Sequence, residues 1–354
     1  MTMTLRERLE STIRGGTADR IPWNIYAWLL PQTEAGRRMH ERGLGLLGNA
    51  RLWREVHEGV TVREEHGLKD GLPLTRTTIE TPVGTIWQEV IREPHHNSPW
   101  IRKFFITGPE DYGPAEYYFR HTRMEPEYEA WPRADAEIGV GGVTCGEIWP
   151  LPILLLSQSW MGVEGLAEGL YLYRDRFDAL IDVLDGHYLR HAELAAESPA
   201  ELIWFPESLT ATIISPALFH RYCLPLYERA VPVVRGAGKL ITAHYDGSIR
   251  PLLDLLAGVD IPVIEAFNPP PMGDVTVPEA KAAWPHKTVW INFPGCYFLE
   301  PPEAIYSYTL DLLRTGAPGG RLVIGCTEDF PVDQFEKTYD AIGRALADYE
   351  GYPW

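Results

Sequence analysis

The chain has 354 residues, 45% of them hydrophobic and 11% aromatic, so it can build one large core, and nothing in it reads as disorder, low complexity or a fixed-period repeat. A net charge of −17, with no cluster of lysine and arginine interleaved with aromatics, leaves no electrostatic footprint for nucleic acid. Four cysteines, Cys145, Cys223, Cys296 and Cys326, lie far apart with no Cys-x-x-Cys, which argues against a disulfide framework and a zinc ribbon.

The opening segment "MTMTLRERLESTIRGG" carries charge where a signal peptide needs an apolar core, and no apolar run approaches a membrane span, so the expectation is a cytoplasmic protein. A short amphipathic helix, Leu5 to Ile13, leads into a first strand in "RIPWNIY", Arg20 to Tyr26. The segment Leu74 to Val90 alternates β-branched and polar residues around Pro-Val-Gly, which predicts a β-hairpin insertion near 74–92.

Further along, strands are expected at Glu137 to Thr144, Leu202 to Phe205, Leu240 to His244, Pro262 to Phe267, Thr288 to Asn292 and Arg321 to Cys326. Helices are expected between them: one capped by Ser215 with Pro216 in its first turn, then Ser248 to Leu256, Pro278 to Trp284, Pro302 to Arg314 and Val332 to Tyr349. Pro225 and Pro232 should kink the first of these. Six visible βα units, with two more upstream, indicate an α/β protein with a (β/α)8 TIM-type barrel and an N-terminal helical and hairpin elaboration, one domain over 1–354. No Gly-x-Gly-x-x-Gly follows any strand to suggest a dinucleotide fold.

Barrel enzymes build their sites where strands end. His244, Glu265, Asn292 and Cys326 all sit at or near such ends, with Asp246 two residues past the histidine. Imidazole, carboxylate and thiolate are the donors that zinc takes in tetrahedral sites. Each residue also has a plainer reading: His244 as a hydrogen-bonded strand end, Cys326 as a small core residue, and Asp246 as the N-cap of the helix after Gly247. Glu265, a carboxylate after "PVI", needs a partner in either case.

The stretches "HYDGSIRPLLDLLAG", "IEAFNPPPMGDVTVPEAKAAW", "INFPG" and "VIGCTEDFPVDQFEKTYDAI" resemble the uroporphyrinogen decarboxylase superfamily, and "RERLESTIRGGTADRIPW" extends the likeness to the start. That superfamily has (β/α)8 barrels and holds both cofactor-independent decarboxylases and zinc methyltransferases that serve corrinoid proteins or thiol acceptors. The zinc branch resembles cobalamin-independent methionine synthase, whose ligands run His-x-Cys, Glu, Cys. The resemblance implies a Zn2+ held by His244, Glu265 and Cys326, with Asp246 in place of the first cysteine. That departure would harden the metal and favour an oxygen over a thiol. The Arg-Gln-Ala-Gly-Arg signature of the porphyrinogen decarboxylases is absent, the matching region reading "RIPWNIYAWLLP".

The expected activity is therefore a zinc-dependent methyltransferase moving a methyl group from an O- or N-methylated small molecule to a corrinoid protein or related acceptor. No Asp-x-His-x-x-Gly corrinoid motif occurs here, so the corrinoid would come with a partner protein. The alternatives are a carboxy-lyase acting on a small carboxylic acid and a noncatalytic binding barrel. Glu207, after a strand, could protonate a leaving oxygen or be a surface carboxylate, and Asp246 is the other catalytic candidate. Glu147 and Asn292 could contact substrate, and Tyr26, Trp28, Trp149, Trp160 and Phe267 could wall an apolar pocket or pack the core.

Overall fold

Eight parallel strands close into a barrel in the computed structural model, which describes residues 2–93 and 99–354. They are β1 (Trp23–Tyr26), β2 (Leu44–Arg51), β3 (Gly142–Glu147), β4 (Leu202–Phe205), β5 (Leu240–His244), β6 (Val263–Phe267), β7 (Thr288–Asn292) and β8 (Leu322–Gly325). Each pairs with the next in sequence, and β8 closes on β1. This is the (β/α)8 barrel, with no described helix long and apolar enough to cross a membrane.

One strand expectation needs correcting. The strand expected from Glu137 to Thr144 starts late: Ala130–Ile138 is helical, Gly139 turns the chain at φ 52°, and β3 begins at Gly142. A β-carbon at Gly142 would lie 1.9 Å from the Leu46 carbonyl oxygen, so only glycine lets β3 approach β2 there. The strand β2, "LGLLGNAR", was not delimited from sequence because its glycines dilute the apolar alternation. Gly48 is needed for packing, since its β-carbon would meet Ile138 at 2.9 Å.

Between β2 and β3 the chain makes a long excursion. Trp53–His57 pairs with Thr122–Pro126, and Thr61–Lys69, Leu72–Thr81, Gly84–Arg92 and Pro99–Lys103 form a four-stranded antiparallel sheet. The helix capped by Ser215 has a π turn at Phe219–Cys223, Pro225 at the start of Leu224–Gly236, and Pro232 inside it. The helix expected at Ser248 to Leu256 is shorter, a 3-10 turn over Arg250–Leu252 followed by Leu253–Ala257.

Alternation along the strands sorts side chains into two cores. Leu47, Val143, Cys145, Leu202, Leu240, Val263, Trp290 and Val323 point into the barrel, together with Leu9 and Ile13 of the helix Leu5–Ile13. That helix closes the end where strands begin: Leu9 lies beside Gly45, and Thr288 donates to the Thr12 carbonyl. The second core lies between barrel and helices and contains the outward strand residues, among them Ile241, Ile264, Ile291, Leu322 and Ile324. With the lower end filled, the inward positions at the C-terminal ends of the strands form the barrel mouth.

Candidate active site

His244 and Glu265 are the last inward residues of β5 and β6 and face each other across the ladder, a direct register pair. Their contact follows from that register: His244 Nδ1 lies 2.8 Å from Glu265 Oε2. Glu265 is completely buried, and three groups satisfy it. Tyr26 at the end of β1 donates its hydroxyl to Oε1 at 2.8 Å, Trp204 of β4 donates its indole N–H to Oε2 at 3.0 Å, and His244 takes the same oxygen. A buried carboxylate is tolerable only when so paired. The next residue, Ala266, holds φ 54°, and the β6–β7 register shifts there, so the backbone is bent at the residue that aims Glu265.

Burial alone pushes the His244 pKa down. The charge and hydrogen bond of Glu265, with the charges of Asp246 and Glu328, more than offset it and hold the imidazole above its ordinary value. With Nδ1 engaged by Glu265, Nε2 points toward Asp246, 4.0 Å from Oδ2. Burial also pushes the Tyr26 hydroxyl far up, aided by the Glu265 charge, so it stays a donor.

Asp246 is not the helix cap. Asp274 performs that task, its Oδ1 accepting from the backbone N–H groups of Ile249 and Arg250 at 2.8 and 3.1 Å. Asp246 instead accepts from the Asn268 amide and keeps a side chain about one-third exposed at the barrel mouth.

Cys326 stands elsewhere. Along β8 the inward residues are Val323 and Gly325, so Cys326 continues the outward parity of Leu322 and Ile324. Burial pushes its thiol up to about 12, and its S–H donates to the Glu328 carbonyl at 3.9 Å, so it is a protonated core thiol. Among the described residues no three histidine, cysteine, aspartate or glutamate side chains are arranged to hold a metal ion. The set of His244, Asp246, Glu265 and Cys326 therefore does not fit a zinc ion here: the Cys326 thiol is protonated and faces the outer core, and Glu265 already has both oxygens engaged.

The residue that approaches His244 from this side is Glu328, in the loop after β8. Its charge acts on His244, and burial with the Asp246 charge raises its own pKa. Asn292 donates to Glu328 Oε1 at 2.8 Å and accepts from Thr327 N–H at 3.0 Å, so it serves as a brace with both amide atoms engaged. Sequence reading missed Glu328 and Trp204. The signals were an acidic residue in a loop after a strand, and the inward parity of Trp204 two positions beyond Leu202.

The other expected residues divide. Glu207 is not a surface carboxylate but is fully buried: Leu151 N–H lies 2.6 Å from Oε2 and the Tyr188 hydroxyl 3.0 Å from Oε1. Glu147, inward at the end of β3, accepts from Asn49 at 2.7 Å, and burial raises its pKa. Trp28 stacks on Tyr26 with centroids 4.3 Å apart and is 49% exposed at the mouth. Trp149, Trp160 and Phe267 pack into the outer core, against His191, Phe119 and Trp284 respectively.

A family model described as "Uroporphyrinogen decarboxylase (URO-D)" matches residues 97–336. Among solved structures, a methyltransferase from Methanosarcina mazei aligns over 98% of this chain and 99% of its own, with a TM-score of 0.58 and 14% identity, a likeness of fold. A protein described as a vitamin-B12 independent methionine synthase from Listeria monocytogenes aligns over 62% of this chain and 67% of its own at 16% identity and a TM-score of 0.38. A GH5-4 endoglucanase from an uncultured bacterium aligns over 98% and 97% at 8% identity and a TM-score of 0.44. At those scores neither of the last two bears on function. No curated protein sequence matches the chain.

Proposed function

The chain belongs to the uroporphyrinogen decarboxylase family, and from that premise we propose that it is an enzyme transferring a methyl group from a cationic, N-methylated small molecule to a corrinoid carried by a partner protein or to a related acceptor. One observation carries this reading: two carboxylates, Asp246 and Glu328, act on His244 at the barrel mouth beside the aromatic rings of Tyr26, Trp28 and Trp204. Acidic oxygens with aromatic faces are the chemistry that holds a quaternary ammonium group.

The same residues suit the transfer step. When the methyl carbon leaves a quaternary nitrogen, the C–N electron pair stays on nitrogen and the amine departs neutral. The acceptor supplies the electron pair of the new bond. No proton or Lewis acid is needed on the leaving group, in contrast to a methyl ether, which leaves as an alkoxide. Carboxylates around the nitrogen hold the donor and stabilise the positive charge shared by the migrating methyl group. A carboxylic acid substrate of a lyase would meet those carboxylates, which favours the methyltransferase reading.

The first test compares binding of choline with its neutral carbon isostere, 3,3-dimethylbutan-1-ol, by calorimetry. Choline should bind about tenfold tighter, the worth of a cation–π contact of roughly 1–2 kcal/mol. Methylated ammonium donors are then assayed with reduced free corrinoid as acceptor, followed by methylcorrinoid absorbance. Equal binding of the two probes, or carbon dioxide release from a small acid in place of methyl transfer, would refute the proposal.

A further inference from the structure

The chain has six lysines, and hydrogen-bond partners sort the buried ones by how many protons each nitrogen must hold. An ammonium group has three N–H donors, whereas the neutral amine has two and a lone pair. Lys281 donates to three carbonyls, those of Gly316, Pro318 and Gly320, at 2.8, 2.6 and 2.8 Å, so all three donors are used and the group stays charged. Lys103 donates to the carbonyls of Trp87 and Phe104 at 3.0 Å each, and the Trp87 ring, 4.3 Å from the nitrogen, holds the cation. Lys287 differs from both. It is buried and donates to two carbonyls, Val259 and Ile261, with no third acceptor among the described residues. A neutral amine makes both of those bonds. Burial pushes the pKa of Lys287 from 10.5 down to about 8, with the Asp260 charge acting the other way.

We propose that Lys287 is an acylation site, its Nζ taking an acyl group from an acyl phosphate that enters the cleft beside it. This cleft, about 430 Å³ in volume, lies at the end of the barrel where β6 and β7 begin, opposite the mouth. It carries Arg235, His286 and Lys287 against one carboxylate, Asp260, in a chain whose net charge is −17, so it is a place where an anion can approach. With both N–H groups on carbonyls, tetrahedral geometry turns the lone pair of the amine away from Val259 and Ile261.

The step balances within the two reactants. The Nζ lone pair forms the bond to the acyl carbon, the carbon–oxygen bond to phosphate breaks, and phosphate leaves with that electron pair and the proton lost by nitrogen. The amide keeps one N–H. That donor can stay on the Ile261 carbonyl, 2.9 Å from Nζ, while the Val259 carbonyl still accepts from Ile261 N–H at 2.8 Å. Both carbonyls thus keep a donor, and the product costs no orphaned acceptor. The same reaction at Lys281 would strip two of its three carbonyls of their partner.

The test treats the full chain with acetyl phosphate and follows each lysine by peptide mass spectrometry. At about pH 7.5 roughly a quarter of Lys287 is neutral, against about one part in a thousand for an ordinary lysine. Lower basicity and burial return part of that advantage, so Lys287 should acetylate about tenfold faster than the exposed Lys69. Its rate should level off above about pH 8, where the amine is already formed, and Lys281 should stay unmodified. Arg235→Gln should slow labelling of Lys287 by acetyl phosphate about threefold and leave labelling by the neutral p-nitrophenyl acetate unchanged. Acetylation of Lys287 no faster than of Lys69, labelling only after unfolding in urea, a rate that climbs past about pH 9 without levelling, or an equal effect of Arg235→Gln on both reagents would overturn the proposal.

Discussion

Glu207→Gln tests how the barrel mouth is held. Burial pushes the Glu207 carboxyl up to about 8, against the hydrogen bonds of Leu151, Tyr188 and Tyr227 and the nearby charge of His244, so the folded protein keeps this acid protonated at neutral pH. Its ordinary value is 4.5. Because the folded pKa is raised, the stability this group contributes is fully present below pH 4.5 and is lost as pH rises toward about 8. At 1.36 kcal/mol per unit the loss is on the order of 5 kcal/mol. Glutamine copies the protonated acid without titrating: its carbonyl can accept from Leu151 N–H, and its amide can donate to a tyrosine hydroxyl. Urea unfolding of both proteins from pH 5 to 8.5 should show the stability difference moving steadily in favour of the variant. A difference independent of pH would refute the argument that burial holds this acid neutral. Methyl transfer should survive the substitution, since both Glu207 oxygens are occupied in holding Leu151 and Tyr188.

Three further outcomes follow. Cys326→Ala should leave transfer unchanged and cost about 1–2 kcal/mol in chemical denaturation, as for a small buried side chain; a tenfold fall in rate would return the thiol to the site. Trp28→Ala should weaken choline binding by about 0.5–2 kcal/mol without changing affinity for the neutral isostere or thermal stability, because Trp28 is half exposed and covers Tyr26 at the mouth. Gly325→Ala should destabilise by about 1–3 kcal/mol in calorimetric unfolding, since a β-carbon there would lie 2.8 Å from both Trp290 Nε1 and the Ile291 carbonyl oxygen.

The sequence by itself determined the barrel from β4 onward, because parallel strands buried on both faces read as short apolar runs between helices, and these runs end at His244, Phe267 and Asn292. It also placed His244 and Glu265 in one site, for both are last inward residues of consecutive strands. Strand β2 was hidden because Gly45 and Gly48 answer to close packing, which leaves no periodic signal. Only the tertiary structure decided what the other polar residues do. Cys326 follows His244 and Glu265 in the order of a metal site, yet one step of strand parity turns it to the outer core and Tyr339. Asp246 could be a ligand or a helix cap by sequence, and Asp274, from the next βα loop, supplies the cap bond. Glu328, Trp204 and Tyr26 reach the histidine from strands far apart in sequence, because closing the barrel brings β1, β4 and β8 around one mouth.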